Sequence, residues 1–358
     1  MAEDIAERVW HGKSSTARVA RAILSPFGAL FGAVVTVRNA AYDLGWFPSF
    51  DLELPTLSVG NLTAGGTGKT PISSWCAAQM LDRHLRPAIV LRGYGDDEPQ
   101  VHEQLCPGAV VVADADRVRG VRVARAAGAM VAILDDGFQH RRARRQLDIV
   151  LLAAEAHLNE RFLPAGPRRE SFASLARASL VIVTRKSASS EAADLVRASA
   201  ARQTTAPVVI AHLAPSELVD TTAGTKRSLA SIRGERVTAI AGIANPHAFA
   251  AQLRDAGAIV ATEFRRDHHA FSEREALALH ALVGAAGLAV CTLKDAVKLA
   301  RYWPRQDPSL WYVSQRVTIE QGASHVQRIL DRFASEARRH NNAFTPAVAG
   351  PTADLHVP

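Results

Sequence analysis

The chain has 358 residues, of which 48% are hydrophobic and 22% are charged, a balance that is typical of globular proteins and excludes a disordered chain. Lys and Arg outnumber Asp and Glu by 42 to 35 and the isoelectric point is near 9.7, so an anionic partner is favoured over a cationic one. Cys76, Cys106 and Cys291 are odd in number and form no CxxC pair, which excludes a disulfide framework and a thiolate metal site. A reducing, cytoplasmic compartment fits this composition.

The N-terminal region, residues 1–40, contains one long apolar run. Ile23–Val37 is apolar for 15 residues, which is shorter than the roughly 20 residues needed to span a bilayer. Pro26 interrupts its beginning, and basic residues such as Arg21 and Arg38 flank it. This pattern favours a helix that lies in the membrane interface. Packing of the same helix against the rest of the protein is the alternative.

The motif that is most informative about chemistry is VGNLTAGGTGKTP, at Val59–Pro71. Leu54–Val59 has the length of a buried strand, and Ile72–Leu81 has the apolar spacing of a helix. A glycine-rich turn in this context binds phosphate through its N–H groups and the helix N-terminus. We therefore predict a nucleotide-binding loop, with Lys69 on the β- and γ-phosphates and Thr70 on Mg²⁺. The predicted nucleotide contacts are Thr63, Ala64, Gly65, Gly66, Thr67, Gly68, Lys69 and Thr70.

A second apolar strand supplies the other side of the predicted site. Ala129–Leu134 runs directly into Asp135 and Asp136. A carboxylate at a strand end, downstream of a phosphate loop, holds Mg²⁺ or its water shell. The two aspartates are therefore predicted metal ligands. The general loop pattern has glycine where this chain has Thr63, so the glycines that follow are expected to make the turn.

The rhythm of strands and helices predicts an α/β fold of the phosphate-loop NTPase kind, with a mainly parallel sheet flanked by helices and a second, smaller α/β domain. A Gly/Thr/Ser-rich stretch at residues 221–231 reads as the connection. The predicted division is residues 1–40, 41–220, 221–340 and a disordered tail at 341–358. The arginine run at 141–145 has no interleaved aromatic residues, so no nucleic-acid partner is predicted.

Taken together, these motifs resemble one family, the tetraacyldisaccharide 4′-kinases (lipid A 4′-kinases) of Gram-negative bacteria. The matching segments are Gly60–Pro71, Arg92–Gly95, Asp97–Pro99, Asp135–His140, Leu163–Glu170, Ala241–Pro246, Asp267–His269 and Lys294–Lys298. The family also has Thr at the position of Thr63. The resemblance implies ATP- and Mg²⁺-dependent phosphorylation of the 4′-hydroxyl of an acylated glucosamine disaccharide 1-phosphate. It also implies a peripheral enzyme on the cytoplasmic face of the inner membrane, and no obligate protein partner is inferred.

The resemblance also implies roles for individual residues. Lys69 neutralises phosphate, and Thr70 with Asp135 or Asp136 holds the metal. Asp97, paired with His268 from the second domain, is the implied base, because a sugar hydroxyl is a poor nucleophile at neutral pH. Three arginines, Arg117, Arg168 and Arg169, are the predicted contacts with substrate.

Two departures from the family pattern leave choices open. The turns Arg-Gly-Tyr-Gly and Gly-Asp-Glu-Pro, usually separated by a longer segment, run together here as RGYGDDEP, so the base is Asp96 or Asp97. The Gly-Asn-Gly that usually precedes Leu-Pro-Ala-Gly-Pro is replaced by residues 158–162. The alternatives to a kinase are another phosphate-loop ATPase or ligase and a non-catalytic nucleotide switch at a membrane surface.

Overall fold

The computed structural model describes residues 2–93, 97–156, 160–284 and 287–344. Asp96, the other candidate base, lies outside the described residues. The helices are α1 (Ala2–His11), α2 (Ser15–Asp43), α3 (Lys69–Leu81), α4 (Asp97–Leu105), α5 (Arg117–Ala126), α6 (Ser190–Ala201), α7 (Pro246–Asp255), α8 (Glu273–Val283), α9 (Leu293–Leu299) and α10 (Ala323–Phe344). Short 3-10 helices cover Phe172–Arg177 and Leu229–Ile232.

The strands are β1 (Thr56–Asn61), β2 (Pro87–Leu91), β3 (Val110–Ala113), β4 (Val131–Asp135), β5 (Leu147–Ala153), β6 (Leu180–Arg185), β7 (Val208–Asp220), β8 (Lys226–Ser228), β9 (Arg236–Ala241), β10 (Ile259–Phe264), β11 (Leu288–Cys291) and β12 (Leu310–Gln321). They form one sheet in the order β10-β9-β11-β12-β7-β6-β5-β1-β4-β2-β3, with β8 also paired to β7. Neighbours are parallel except at β7–β12 and β7–β8. The predicted fold class, mainly parallel with flanking helices, is confirmed.

The antiparallel pair β7–β12 divides the sheet into two parallel sets. We call β1–β6, the start of β7 and α10 the first half, and the end of β7, β8–β11 and the start of β12 the second half. β6 stops opposite His212, whereas β7 continues to Asp220 and pairs there with the start of β12. Because β11 and β9 run parallel to β12, the carboxyl ends of the second set face those of the first across this extension. Loops from both halves therefore converge on one region.

Buried side chains form separate cores in the two halves. Clusters that contain Val59, Ile133 and Phe138 fill the first half, and clusters that contain Ile240 and Phe271 fill the second. Helix α10 belongs with the first: its apolar face packs on the cluster of β1 and α3 through Val326, Leu330, Phe333, Ala334 and Ala337. The predicted division at 221–340 had placed these residues in the smaller domain.

The predicted tail begins within α10, since residues 341–344 continue that helix; residues 345–358 lie outside the described part of the chain.

Helix α2 is longer than the apolar run predicted. It covers 29 residues and, by length and composition, would suffice to cross a membrane. Its Gly28 and Gly32 lie against Phe162, where a Cβ at either glycine would approach within about 3 Å, so small residues let the helix pack closely on the body. The opposite face is exposed along most of its length, through Val19, Ile23, Phe27, Leu30, Val34 and Val37.

Candidate active site

The predicted phosphate loop lies between β1 and α3, as the sequence indicated. β1 is flanked by β4 and β5, all parallel, so the loop leaves the carboxyl edge of the sheet at its centre. Gly65 has φ +112 and Gly68 has φ +87, values that favour glycine over residues with a side chain. Gly68 caps the N-terminus of α3. This geometry places backbone N–H groups and a helix N-terminus at one point, as anion binding requires.

Hydrogen bonds from neighbouring segments hold this loop in place. Thr67 Oγ1 accepts a hydrogen bond from Asn61 Nδ2 (2.9 Å), and the Thr67 carbonyl accepts one from Thr184 Oγ1 (2.9 Å). The N–H of Ala64 donates to Pro167 O (2.7 Å), and Lys186 Nζ donates to Gly66 O (2.8 Å). The loop is therefore held in shape by hydrogen bonds, of which those made by Asn61 and Thr184 are buried and that of Lys186 is exposed.

Lys69 and Asp136 face each other at the start of α3. Lys69 Nζ is 3.8 Å from Asp136 Oδ1. Burial lowers the pKa of Lys69, and the negative charge of Asp136 opposes that shift. Asp136 has φ +52, a strained conformation for a residue with a side chain, and its carboxylate is about one-third exposed (35%). A partly exposed carboxylate beside the loop lysine is suited to a metal ion that also binds phosphate.

The carboxylate of Asp135 makes different contacts from that of Asp136. Its Oδ1 accepts from Ser73 Oγ (2.8 Å), and its Oδ2 lies 3.1 Å from His102 Nε2, whose Nδ1 is 2.8 Å from Ser74 Oγ. Burial on its own would raise the pKa of Asp135, but the hydrogen bond and charge of His102 and the hydrogen bond of Ser73 hold it below its usual value. An ionised carboxylate only accepts, so Nε2 carries the proton. Asp135 thus ties β4 to α3 and α4.

Asp97 begins helix α4, five residues before His102. Because His102 fixes this helix to Asp135, the start of α4 is held beside the phosphate loop. The neighbouring Glu98 reports the same proximity: burial, and then the negative charge of Asp135, raises its pKa. Asp97 is buried, and its Oδ2 lies 3.1 Å from Lys298 Nζ on α9.

His268 lies on a loop of the second half, after β10. It has φ +56, its N–H donates to Gly242 O (3.2 Å), and its Nε2 is 4.0 Å from Asp267 Oδ1. Its side chain is 42% exposed. These distances connect Asp97 to Lys298 and His268 to Asp267, and the pairing of Asp97 with His268 stays a prediction.

The three arginines predicted to bind substrate lie in three different environments. Arg169 Nη1 donates to both carboxylate oxygens of Asp136 (3.0 and 2.8 Å), so it lies at the mouth of the loop. Arg168 stacks against Phe162 and Phe172, with distances of 5.8 and 5.4 Å to the ring centres. Arg117 is buried and donates to the backbone carbonyls of Asp114 and Asp135 (2.7 and 3.1 Å), which supports the strand end.

Sequence reasoning missed four groups at this site: Ser73, His102, Lys186 and Lys298. Each contacts a site residue or loop carbonyl that is distant in sequence; Lys298, for example, contacts Asp97. The sequence around each of the four residues has no pattern from which its contact could be predicted. Lys298 falls in a segment that carried the resemblance, Lys294–Lys298, but without a role.

A braced phosphate loop that ends in a lysine and lies beside two strand-end carboxylates is typical of phosphate-loop phosphotransferases. A family model described as tetraacyldisaccharide-1-P 4′-kinase matches residues 20–104 and 96–334. The chain belongs to the tetraacyldisaccharide-1-P 4′-kinase family. The two matched ranges overlap at residues 96–104, beside the place where the sequence runs its two turns together.

Individual relatives agree with the family match. A tetraacyldisaccharide 4′-kinase of Anaeromyxobacter sp. (strain Fw109-5) is 36% identical, over 91% of this chain and 96% of that protein. The corresponding kinase of Chlorobaculum tepidum is 34% identical, over 79% of this chain and 88% of that protein. A solved structure, described as the "apo" form of LpxK from Aquifex aeolicus in complex with ATP, aligns with a TM-score of 0.72 and 26% identity, over 87% of this chain and 99% of that chain.

These matches confirm the predicted family, the predicted fold class and the prediction of a lipid A 4′-kinase. The roles of individual residues, the metal, the domain limits and the membrane surface are not tested by them and stay predictions.

Proposed function

We propose that the protein transfers the γ-phosphoryl group of ATP to the 4′-hydroxyl of a tetraacylated glucosamine disaccharide 1-phosphate, at the cytoplasmic face of the inner membrane. One observation carries the proposal at the level of residues. Helix α4 starts with the buried Asp97 and is fixed by His102 to Asp135, at the end of the strand beside the phosphate loop. A buried carboxylate is thereby held next to the place where the loop would bind phosphate.

The phosphate side of the reaction is carried by the loop. Lys69 and the N–H groups at the start of α3 would neutralise the charge that develops on the phosphoryl oxygens. Because the loop is already hydrogen-bonded into shape, these donors need little rearrangement during the reaction. Lys186, which donates to Gly66 O, supports the loop from the end of β6.

Mg²⁺ fits the residues at the loop. Among the described residues, no group of three or more His, Cys, Asp or Glu could hold a metal by itself, but Mg²⁺ at such loops takes a hydroxyl, one or two carboxylates, phosphate oxygens and water. Asp135 is occupied by Ser73 and His102. Both oxygens of Asp136 also accept from Arg169 Nη1, but its side chain is 35% exposed against 10% for Asp135. Thr70 and Asp136 would therefore hold the ion, with the ion replacing Arg169 at the carboxylate and Asp135 lying behind them. The ion would supply neutralisation of phosphate charge.

The acceptor side requires a base, because a sugar hydroxyl is very rarely ionised near neutral pH. Asp97 would accept the proton of the 4′-hydroxyl, and His268 of the second half would orient it. The facing carboxyl ends of the two halves support this proposal, because they bring loops that are distant in sequence to one region. Arg168 and Arg169, beside the loop and near α2, are the candidates for contact with the substrate phosphate.

Helix α2 would bring the site to the lipid. Its exposed apolar face includes Ile23, Leu30 and Val37, each more than 60% exposed, and Trp46 just after it is 75% exposed. The opposite face is attached to the body by Gly28 and Gly32, so the helix lies along the protein. An apolar face beside basic side chains suits the interface of an anionic membrane.

The test is transfer of labelled γ-phosphate from ATP to tetraacyl-disaccharide 1-phosphate in detergent micelles, with Mg²⁺ and with EDTA. We expect labelled lipid only with Mg²⁺, and only a small residual rate of transfer with the Asp97→Asn variant, which should still bind ATP. ATP hydrolysis that does not depend on the lipid acceptor would contradict the proposal and favour an ATPase. Nucleotide binding without turnover, with or without lipid, would favour a nucleotide switch.

A further inference from the structure

Lys298 makes an ion pair that crosses between the two halves of the molecule. Its Nζ lies 3.1 Å from Asp97 Oδ2, and the two side chains are 13% and 6% exposed. Helices α4 and α9, which carry them, pack against each other. A buried ion pair is costly to disrupt on one side only, because the remaining charge is left without a partner.

The Asp97 carboxylate is held by charge more than by directed hydrogen bonds. Although the charges are close, Asp97 Oδ2 accepts no well-directed hydrogen bond from any residue in the described part of the chain. Buried polar atoms are almost always hydrogen-bonded, and an exception calls for an explanation. Oδ2 is closed to solvent and faces Lys298, so the charge of the lysine, rather than a directed hydrogen bond, holds this side of the carboxylate in place.

Helix α9 also carries the link to the His268 loop. Asp295, one turn before Lys298, is fully buried, and its Oδ2 accepts from Thr292 Oγ1 (2.6 Å) and from the N–H of Gly242 (3.1 Å). The carbonyl of Gly242 accepts the N–H of His268 (3.2 Å). Residues three apart lie on the same side of a helix. One short helix is therefore attached to both members of the predicted Asp97–His268 pair.

We infer that Lys298 is a positioning residue for the phosphoryl transfer: it holds the Asp97 carboxylate against the second half, so that α9 sets the place of the base relative to the His268 loop. The inference rests on the proposed role of Asp97. Lys298 itself is not required to touch either substrate. Its removal should therefore lower kcat and leave the KM for ATP nearly unchanged.

The experiment compares Lys298→Met, Lys298→Arg, Asp97→Asn and the double variant Asp97→Asn/Lys298→Met in the labelled-phosphate assay. Lys298→Met keeps the length of the stem and loses the charge, and we expect kcat to fall about 10- to 100-fold, as displacement of a reacting group commonly does. Lys298→Arg should recover much of this loss. The double variant should be no slower than Asp97→Asn alone, because the lysine acts only through the aspartate.

The control is Lys226→Met, which makes the same substitution at an exposed lysine of β8 that pairs with Glu217; its kcat should equal that of the unmodified protein. If Lys298→Met folds poorly, Lys298→Gln, which loses the charge but can still donate a hydrogen bond to Asp97, carries the comparison. An unchanged kcat in Lys298→Met, or a double variant slower than Asp97→Asn by the full single-variant factor, would overturn the inference. Normal transfer by Asp97→Asn would instead refute the proposed base.

Discussion

The two halves of the molecule contribute to the site in different ways. In the first half, loop, metal-side carboxylates and helix α4 are joined by buried hydrogen bonds among Asn61, Thr67, Ser73, His102 and Asp135. In the second half, the described contacts with the site are a single ion pair at Lys298 and a chain of hydrogen bonds through Asp295 and Gly242. The phosphate-binding side is therefore connected internally by buried hydrogen bonds. The side that orients the acceptor base is joined to it through the shared strands β7 and β12 and, near α4, through Lys298 with Asp97 and Gln104 with Tyr312.

The largest effect is expected from Lys69→Ala, on the phosphate-binding side. Removing the charge beside the phosphates should lower transfer about 1,000-fold or more, since such groups act on the charge of the transition state, and should also weaken ATP binding. Turnover and nucleotide affinity measure the two effects, with Lys226→Ala as the control. Unchanged ATP affinity would show that the lysine does not contact the nucleotide.

The next effect is on stability. His102 is fully buried and joins Asp135 to Ser74, so His102→Leu leaves a buried carboxylate without its partner and should lower the free energy of unfolding by about 3 kcal/mol. Urea unfolding measures it. His325→Leu, at an exposed position of α10, should change it by no more than about 0.5 kcal/mol. Equal free energies of unfolding for the two variants would contradict the inference that His102 stabilises the first half.

A smaller effect depends on pH. Burial, and then the positive charge of Arg117, lowers the pKa of His140 to about 4 from its ordinary 6.5. Between these values the unfolded chain binds a proton that the folded protein does not, so stability falls as the pH drops from 6.5 towards 4. The full shift corresponds to about 3 kcal/mol, and we expect about 1–2 kcal/mol because the ring is partly exposed.

Urea unfolding at pH 7 and at pH 4.5 tests this expectation. His140→Gln should remove that part of the pH dependence, whereas His325→Gln should retain it. The same dependence in His140→Gln as in the unmodified protein would assign the effect to other groups.

The smallest effect on stability is expected at α2, which belongs to neither half of the molecule. Ile23→Glu with Leu30→Glu should reduce partition into anionic vesicles about tenfold or more, yet change the free energy of unfolding by no more than about 0.5 kcal/mol, because both side chains are already exposed. Leu195→Glu, on an exposed position of α6, is the matched control and should partition normally. Loss of stability in the α2 variant would mean that its outer face packs on protein.

Sequence reasoning was most successful where function is carried by one continuous segment. The phosphate loop and the strand ending in Asp135 and Asp136 could be predicted because glycine turns, apolar runs and charged ends follow one another along the chain. The contacts of His102 with Asp135 and of Lys298 with Asp97 could not, since they depend on which helices the folded sheet brings together. The predicted base and its predicted histidine were obtained only from the family resemblance.

Helix α10 shows a different limit. Its buried residues Val326, Leu330, Phe333 and Ala337 recur at helical spacing, so a helix could be predicted here. The predicted domain limits were drawn without this helix. Its partner was not predictable, because the chain passes through the whole second half before α10 returns to the first. The predicted range 221–340 groups α10 with the second half, whereas its buried residues pack on the cluster of β1 and α3.

That return has a consequence for the order of folding during synthesis. The apolar surface of the first half beneath Leu330 and Phe333 stays open to water while the ribosome makes the entire second half, because α10 is translated after every other described element. The first core can be completed only when this helix has emerged. Nascent chains that end before α10 would leave this apolar surface exposed to water, so completion of the first core depends on residues 323–337.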